Sequence, residues 1–308
     1  MFRLIQNERM KLWSKKGTWI MMILLILATV CYALLTKSIA YDDVSWQTAE
    51  KENITYSKSY LEDTTMTATE RQQTEDSIAI SQYRLAENIP PIDGVSTEGY
   101  LLGTPSFMLL IMLVGVIVAS TIVSSEYQKG TIKMLLTRPV SRAKILTSKL
   151  LTTFEYALLM ALLTFVLNVI FAYVLFDQLG GVNLTMENGQ IVHENLWTAI
   201  SRSFAFELVM VIMSILFSFM ISTVTRSSSL AIGLTIFLSM ASSIITVFFY
   251  KFAFIKYIWL SVMDLESIYE HNHMLNVTVG FACAVHAVYA IIFLTIAYWR
   301  FTKSDVTA

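Results

Sequence analysis

Six apolar runs, each long enough or nearly long enough to cross a bilayer, constrain this chain more than any motif it carries. They cover residues 19–36, 101–123, 151–176, 204–224, 230–250 and 277–299. At 1.5 Å per residue, roughly 20 helical residues cross about 30 Å of hydrocarbon. The first run, at 18 residues, is close to that length and the other five exceed it. Amides in lipid have no water to bond, so each run is expected to close its own hydrogen bonds as a helix. Period-two alternation is absent, which argues against a barrel. With 55% apolar and 15% charged residues over 308 positions, an ordinary soluble domain is excluded. The expected fold is therefore an all-alpha polytopic membrane protein, one transmembrane domain over 1–308 with six transmembrane helices. Ser38-Ile39-Ala40 could pass for a cleavage site. The run before it is long for a signal peptide and further spans follow, so a retained helix is the reading.

Charge sets the expected orientation. The N-terminal tail and segments 124–150, 225–229 and 300–308 hold 14 basic residues against Glu8, Glu126 and Asp305. Lys37 and the intervening segments 41–100, 177–203 and 251–276 hold 8 basic and 18 acidic residues. Lysine and arginine density beside the spans marks the cytosolic side, so both termini are predicted inside. Residues 1–16 then read as an amphipathic helix in the inner headgroup layer, with Phe2, Ile5, Arg9 and Leu12 at helical spacing. A disordered basic tail is the plainer alternative. Segment 41–100 is external and acidic. Thr67 with Glu70 forms a capping box for a helix through Leu85, 49–61 forms another, and Pro90-Pro91 ends the hairpin. The first half of segment 251–276, KFAFIKYIWL, reads as an interfacial or partly re-entrant helix whose lysines snorkel. Gly180-Gly181 and Asn188-Gly189 mark turns, and 222–229 with Arg226 a tight cytosolic turn.

The polar segment 124–150 carries the most chemistry. Ser125-Glu126 resembles a helix start, where a carboxylate complements exposed amides. Ile132, Leu135 and Leu136 make an apolar stripe beside Glu126, Lys129 and Lys133. Arg138-Pro139 stops the helix. Ser141 caps the next, which starts at Arg142 and runs on past Lys149 into the third span. The expected product is a short surface helix joined to two spans; a basic loop against anionic lipid is the alternative. Within the spans, Glu155, Asn168, Glu207 and His286 either line a translocation path or protomer interface, or bond between helices of one protomer. Gly115 and Gly233 allow close helix approach. Cys31 and Cys283 lie in apolar runs and read as small buried hydrophobes. His271 and His273, near Glu270, lack a third metal ligand and read as surface residues. No GxxxxGK[ST], HExxH or CxxC sequence occurs, so no catalytic, cofactor or metal site is expected in this chain. Nothing points to nucleic acid.

The segment 124–150 resembles the first cytosolic loop of the ABC-2 family of transporter permeases. The resemblance rests on Glu126, Gly130, Thr131, Leu135, Leu136, Pro139, Ser141, Arg142 and Lys149, and on six spans with both termini inside. It implies that the loop is a coupling helix between spans 2 and 3, docking separate cytosolic ATPase subunits that hold the ATP and Mg. It also implies a paired second permease protomer, a bacterial plasma membrane, and export of a peptide, drug, lipid or ion. The 251–276 element would shape an external gate. A membrane sensor or assembly scaffold without transport is the alternative. An integral membrane enzyme would need a catalytic cluster that residues 155, 168, 207 and 286 do not form.

Overall fold

The computed structural model describes residues 1–38, 45–62, 66, 68–131, 134, 140–178, 180–187 and 189–303. In chain order these form α1 (Phe2–Trp13), α2 (Lys16–Ser38), α3 (Trp46–Leu61), α4 (Ala68–Glu87), α5 (Thr97–Leu102), a 3-10 turn (Thr104–Phe107), α6 (Met108–Gln128) and α7 (Arg142–Leu175). A hairpin of β1 (Asn183–Glu187) and β2 (Gln190–Glu194) follows. Then come α8 (Leu196–Thr225), α9 (Ser228–Phe249), a 3-10 turn (Ile255–Tyr257), α10 (Leu265–Tyr269) and α11 (Val279–Lys303). Six helical segments among the described residues are long and apolar enough to span a membrane: α2, α5–α6 taken together, α7, α8, α9 and α11.

The span formed by α5 and α6 is the centre of the bundle. Its apolar window is 67% buried, against 17% for α9. Pro105 supplies no backbone donor, and the chain passes from α5 into α6 through the 3-10 turn that contains it. Among the described residues α6 packs most extensively against α8. Small residues allow this approach: a Cβ on Gly115 would stand 2.8 Å from Ile215 Cδ1. Ser218 Oγ then donates to the Val116 carbonyl across the seam at 3.2 Å, and Ser222 Oγ to that of Ser120. Gly233 has nothing within 4 Å of its notional Cβ and serves no such contact.

The helix ends carry their own chemistry. Ser141 caps α7 through the Lys144 amide, as expected from sequence, and Asn195 caps α8 through that of Trp197. Arg226 closes α8 in the left-handed region at φ 60°, and Ser227 caps α9 directly after it. The Arg226 guanidinium stacks over the Tyr127 ring at 4.7 Å, which anchors this non-glycine turn.

At the end of the bundle away from α1, α3 and α4 pack as the expected hairpin. Arg84 of α4 donates to the carbonyls of Pro90 and Val182, tying the hairpin to the strand that follows. A second, smaller core sits below, around Tyr100, Leu101, Ala172 and Phe176.

Several expectations change. Segment 251–276 is not a long interfacial helix. Its described part is a run of turns with two short helices, because Ile255 and Trp259 fold inward and Trp259 packs on Phe217 and Phe293 at 5.6 and 5.7 Å. Cys31 and Cys283 are exposed on the outer faces of α2 and α11. In a bilayer those faces meet acyl chains, where a thiol behaves as a small apolar group. The turn expected at 188–189 falls between two paired strands, Asn183 opposite Glu194 through Glu187 opposite Gln190, and Asn188 itself lies outside the described residues.

Candidate functional site

Four charged side chains from three separate helices meet at the end of the bundle that carries α1. Glu8 and Lys11 come from α1, Glu126 from the last turn of α6, and Lys149 from two turns inside α7. Lys149 Nζ lies 2.8 Å from Glu8 Oε2 and 3.2 Å from Glu126 Oε1. Lys11 Nζ lies 2.8 Å from the same Glu126 oxygen and 3.5 Å from Glu8 Oε1. Two carboxylates and two ammoniums thus form a closed, neutral ring. Lys149 is 1% exposed, and Glu8 and Glu126 are buried. Water screens these charges little, so the ring geometry must satisfy them.

Local sequence places each member. Glu8 and Leu12, one turn apart, form the buried face of α1. Thr18 Oγ1 donates to the Leu12 carbonyl at 2.6 Å and Trp19 Nε1 to that of Trp13 at 2.9 Å, fixing the bend into α2. Burial opposes the Lys11 charge, but the Glu126 and Glu8 carboxylates outweigh it and hold the ammonium above the ordinary lysine range.

Glu126 does not start a helix. Ser124 returns its hydroxyl to the Ser120 carbonyl at 2.7 Å, so α6 runs unbroken through Gln128 and carries Glu126 inward. Thr131 Oγ1 donates to the second Glu126 oxygen, and Gly130, at φ 69°, makes the turn that brings Thr131 back. Arg142 donates to the Thr302 carbonyl at 3.0 Å and Thr147 meets Tyr298 Oη at 2.6 Å, joining the foot of α7 to α11. Of the expected loop residues, Ile132, Leu135, Leu136, Arg138 and Pro139 lie outside the described residues.

The four polar residues within spans do not converge. Glu155 pairs with Arg9 at the surface. Asn168 accepts from Tyr100 Oη at 2.6 Å and donates to the Thr164 carbonyl. His286 Nδ1 contacts the Ala282 carbonyl of its own helix at 2.7 Å. Glu207 is half-buried on α8. No hydrogen bond or ion pair among the described residues joins any two of them. The Arg9–Glu155 pair is solvent-facing, and exposed pairs contribute little. Arg9→Gln is expected to leave the thermal unfolding midpoint of the detergent-solubilised protein unchanged.

Glu8 and Lys11 are site residues that periodicity alone passes over. The available signal is one acid among five bases in an amphipathic stretch, one turn before Leu12. Arg202 is another. At the opposite end it bridges Glu194 of β2 and Glu266 of α10, with its guanidinium 4.4 Å from the Tyr269 ring centre.

Six apolar helical segments, one of them central and largely buried, define a multi-pass helical membrane protein. Residues 91–307 match the family described as "Protein of unknown function (DUF2705)", and the chain belongs to that family. It is similar to "Uncharacterized protein YhcI" of Bacillus subtilis (strain 168), 32% identical over 315 residues that cover 99% of each chain. It is also similar to "Uncharacterized membrane protein YdbK" of the same organism, 29% identical over 212 residues covering 68% of this chain and 82% of that one.

Proposed function

We propose that this chain is the membrane subunit of an ATP-binding-cassette transporter of the ABC-2 type. In this reading it spans the bacterial plasma membrane six times with both termini in the cytosol. It pairs with a second permease protomer and docks separate ATPase subunits, which hold the ATP and Mg. The supporting observation is the ring of Glu8, Lys11, Glu126 and Lys149. It welds a surface helix to the feet of α6 and α7, on either side of the basic loop 124–150. A partner that pushes on that loop therefore moves two spans and α1 as one body, as power transfer from a soluble motor requires. The direction is export and the cargo a peptide, drug, lipid or ion.

The test is recovery of an ATP-binding partner with the affinity-tagged chain from native membranes. Leu135→Asp with Leu136→Asp is expected to weaken recovery roughly thirtyfold, the effect of losing an interface hot spot of about 2 kcal/mol, while gel-filtration elution stays unchanged. Undiminished recovery from that variant removes the loop from the docking role. Purified chain that brings down partners but no ATPase supports a sensor or assembly scaffold instead.

A further inference from the structure

An open cleft of about 590 Å³ is lined by the bend after α1, by the last turns of α6 and by three members of the charge ring, Glu8, Lys11 and Glu126. The ring itself is neutral, and its two carboxylates are engaged by Lys11 and Lys149. Lys15 and Lys129 line the same cleft and are left over. Neither has a carboxylate within ion-pair distance among the described residues. Burial, and then the like charges of Lys129 and Lys149, push the Lys15 ammonium below the ordinary lysine range. The cleft thus carries two uncompensated positive charges, and an anion entering it would relieve both.

Its walls narrow the choice of anion. Leu12, Ile122 and Met134 form an apolar side. Next to Leu12 in the chain, though not itself lining the cleft, Trp13 packs edge-on against Trp19 at 5.2 Å and Tyr156 at 5.7 Å, an aromatic cluster of the kind that sits at headgroup height. A free inorganic anion would use the ammoniums and waste the apolar wall, whereas an amphiphile uses both. We propose that this cleft binds the phosphate group of an anionic phospholipid, between Lys15 and Lys129, with the lipid's apolar part against Leu12, Ile122 and Met134. The site does not depend on the chain being a permease, because it is drawn from the charge and lining of the cleft, although Lys129 and Met134 lie in the loop 124–150 to which the proposed function gives ATPase docking.

Native mass spectrometry of the detergent-solubilised chain, titrated with phosphatidylglycerol or phosphatidylcholine, tests this. One phosphatidylglycerol is expected to be retained in preference to phosphatidylcholine, and inorganic phosphate at the same concentration should not displace it. Lys15→Gln with Lys129→Gln should weaken retention roughly thirtyfold, at the contribution expected for two lysines beside an anionic headgroup. Lys16→Gln with Lys303→Gln removes the same charge from exposed positions outside the cleft and should change nothing. Equal retention of the two lipids, equal effects of the two double variants, or displacement by inorganic phosphate would each overturn the proposal. If the Lys15 variant does not fold, Lys129→Gln alone changes an exposed side chain and should weaken retention roughly fivefold. Unchanged retention in that variant overturns the proposal equally.

Discussion

Replacing Lys149 by methionine is expected to destabilise the folded chain by about 3–5 kcal/mol, because it strands buried carboxylates without their shared cation. Glu8 loses its closest partner, leaving Lys11 at 3.5 Å, and Glu126 keeps the Lys11 contact at 2.8 Å. Lys11 is largely exposed and cannot replace a side chain that is 1% exposed at the centre of the ring. The readout is the thermal unfolding midpoint of the purified protein in detergent, with proteolysis of α1 as a local probe. The triple variant Lys149→Met, Glu8→Gln, Glu126→Gln removes every buried charge of the ring, leaves only Lys11 at its exposed edge, and should recover most of the loss. If the single and triple variants unfold alike, packing of the lysine stem is what matters and the ring contributes little.

Tyr100→Ala is expected to lower stability by about 3–5 kcal/mol, the range for deleting a large aromatic side chain from a close-packed site. Tyr100 is fully buried, stacks on Phe176 at 4.6 Å and lies 5.3 Å from the Tyr32 ring, so it joins the second core across α2, α5 and the end of α7. Tyr100→Phe keeps the ring and removes only the donor to Asn168. It should lower stability by about 1–3 kcal/mol, the range for a buried acceptor left unsatisfied. A Phe variant as damaging as the Ala variant would show that the hydrogen bond, and not the ring, holds this core. The pair also decides the role of Asn168. If Asn168 served a path through the bundle, Tyr100→Phe would alter function and leave the unfolding midpoint in place.

The polar positions explain why some of this was legible and some was not. The sequence leaves Asn168 between a path or protomer-interface role and a hydrogen bond between helices, and in the structure it accepts from Tyr100 of α5. His286 reads the same way but bonds its own helix, since nothing in a local pattern says which neighbour a side chain will meet. The Ser125-Glu126 pair carries the local signature of a helix start. It is overruled because the Ser124 hydroxyl bonds within the helix and Lys149 offers Glu126 a buried partner. The sequence after α7 announces a turn through Asn188-Gly189, but the strands on either side are only five residues long and each ends on an acid, so their alternation is faint. Segment 251–276 has the composition of a surface anchor, and only its packing on Phe217 and Phe293 draws it inward.

By itself the sequence determined the number and helical nature of the segments long and apolar enough to span, since a backbone in hydrocarbon has no other way to bond its amides. It also located the cap at Ser141 and the uneven distribution of charge among the segments between spans, which are local or additive properties. Only the tertiary structure decided that Glu8 and Lys149, separated by 141 positions, share a buried ion pair. That contact depends on how α1, α6 and α7 come together in space, and long-range pairing leaves no periodicity along a chain.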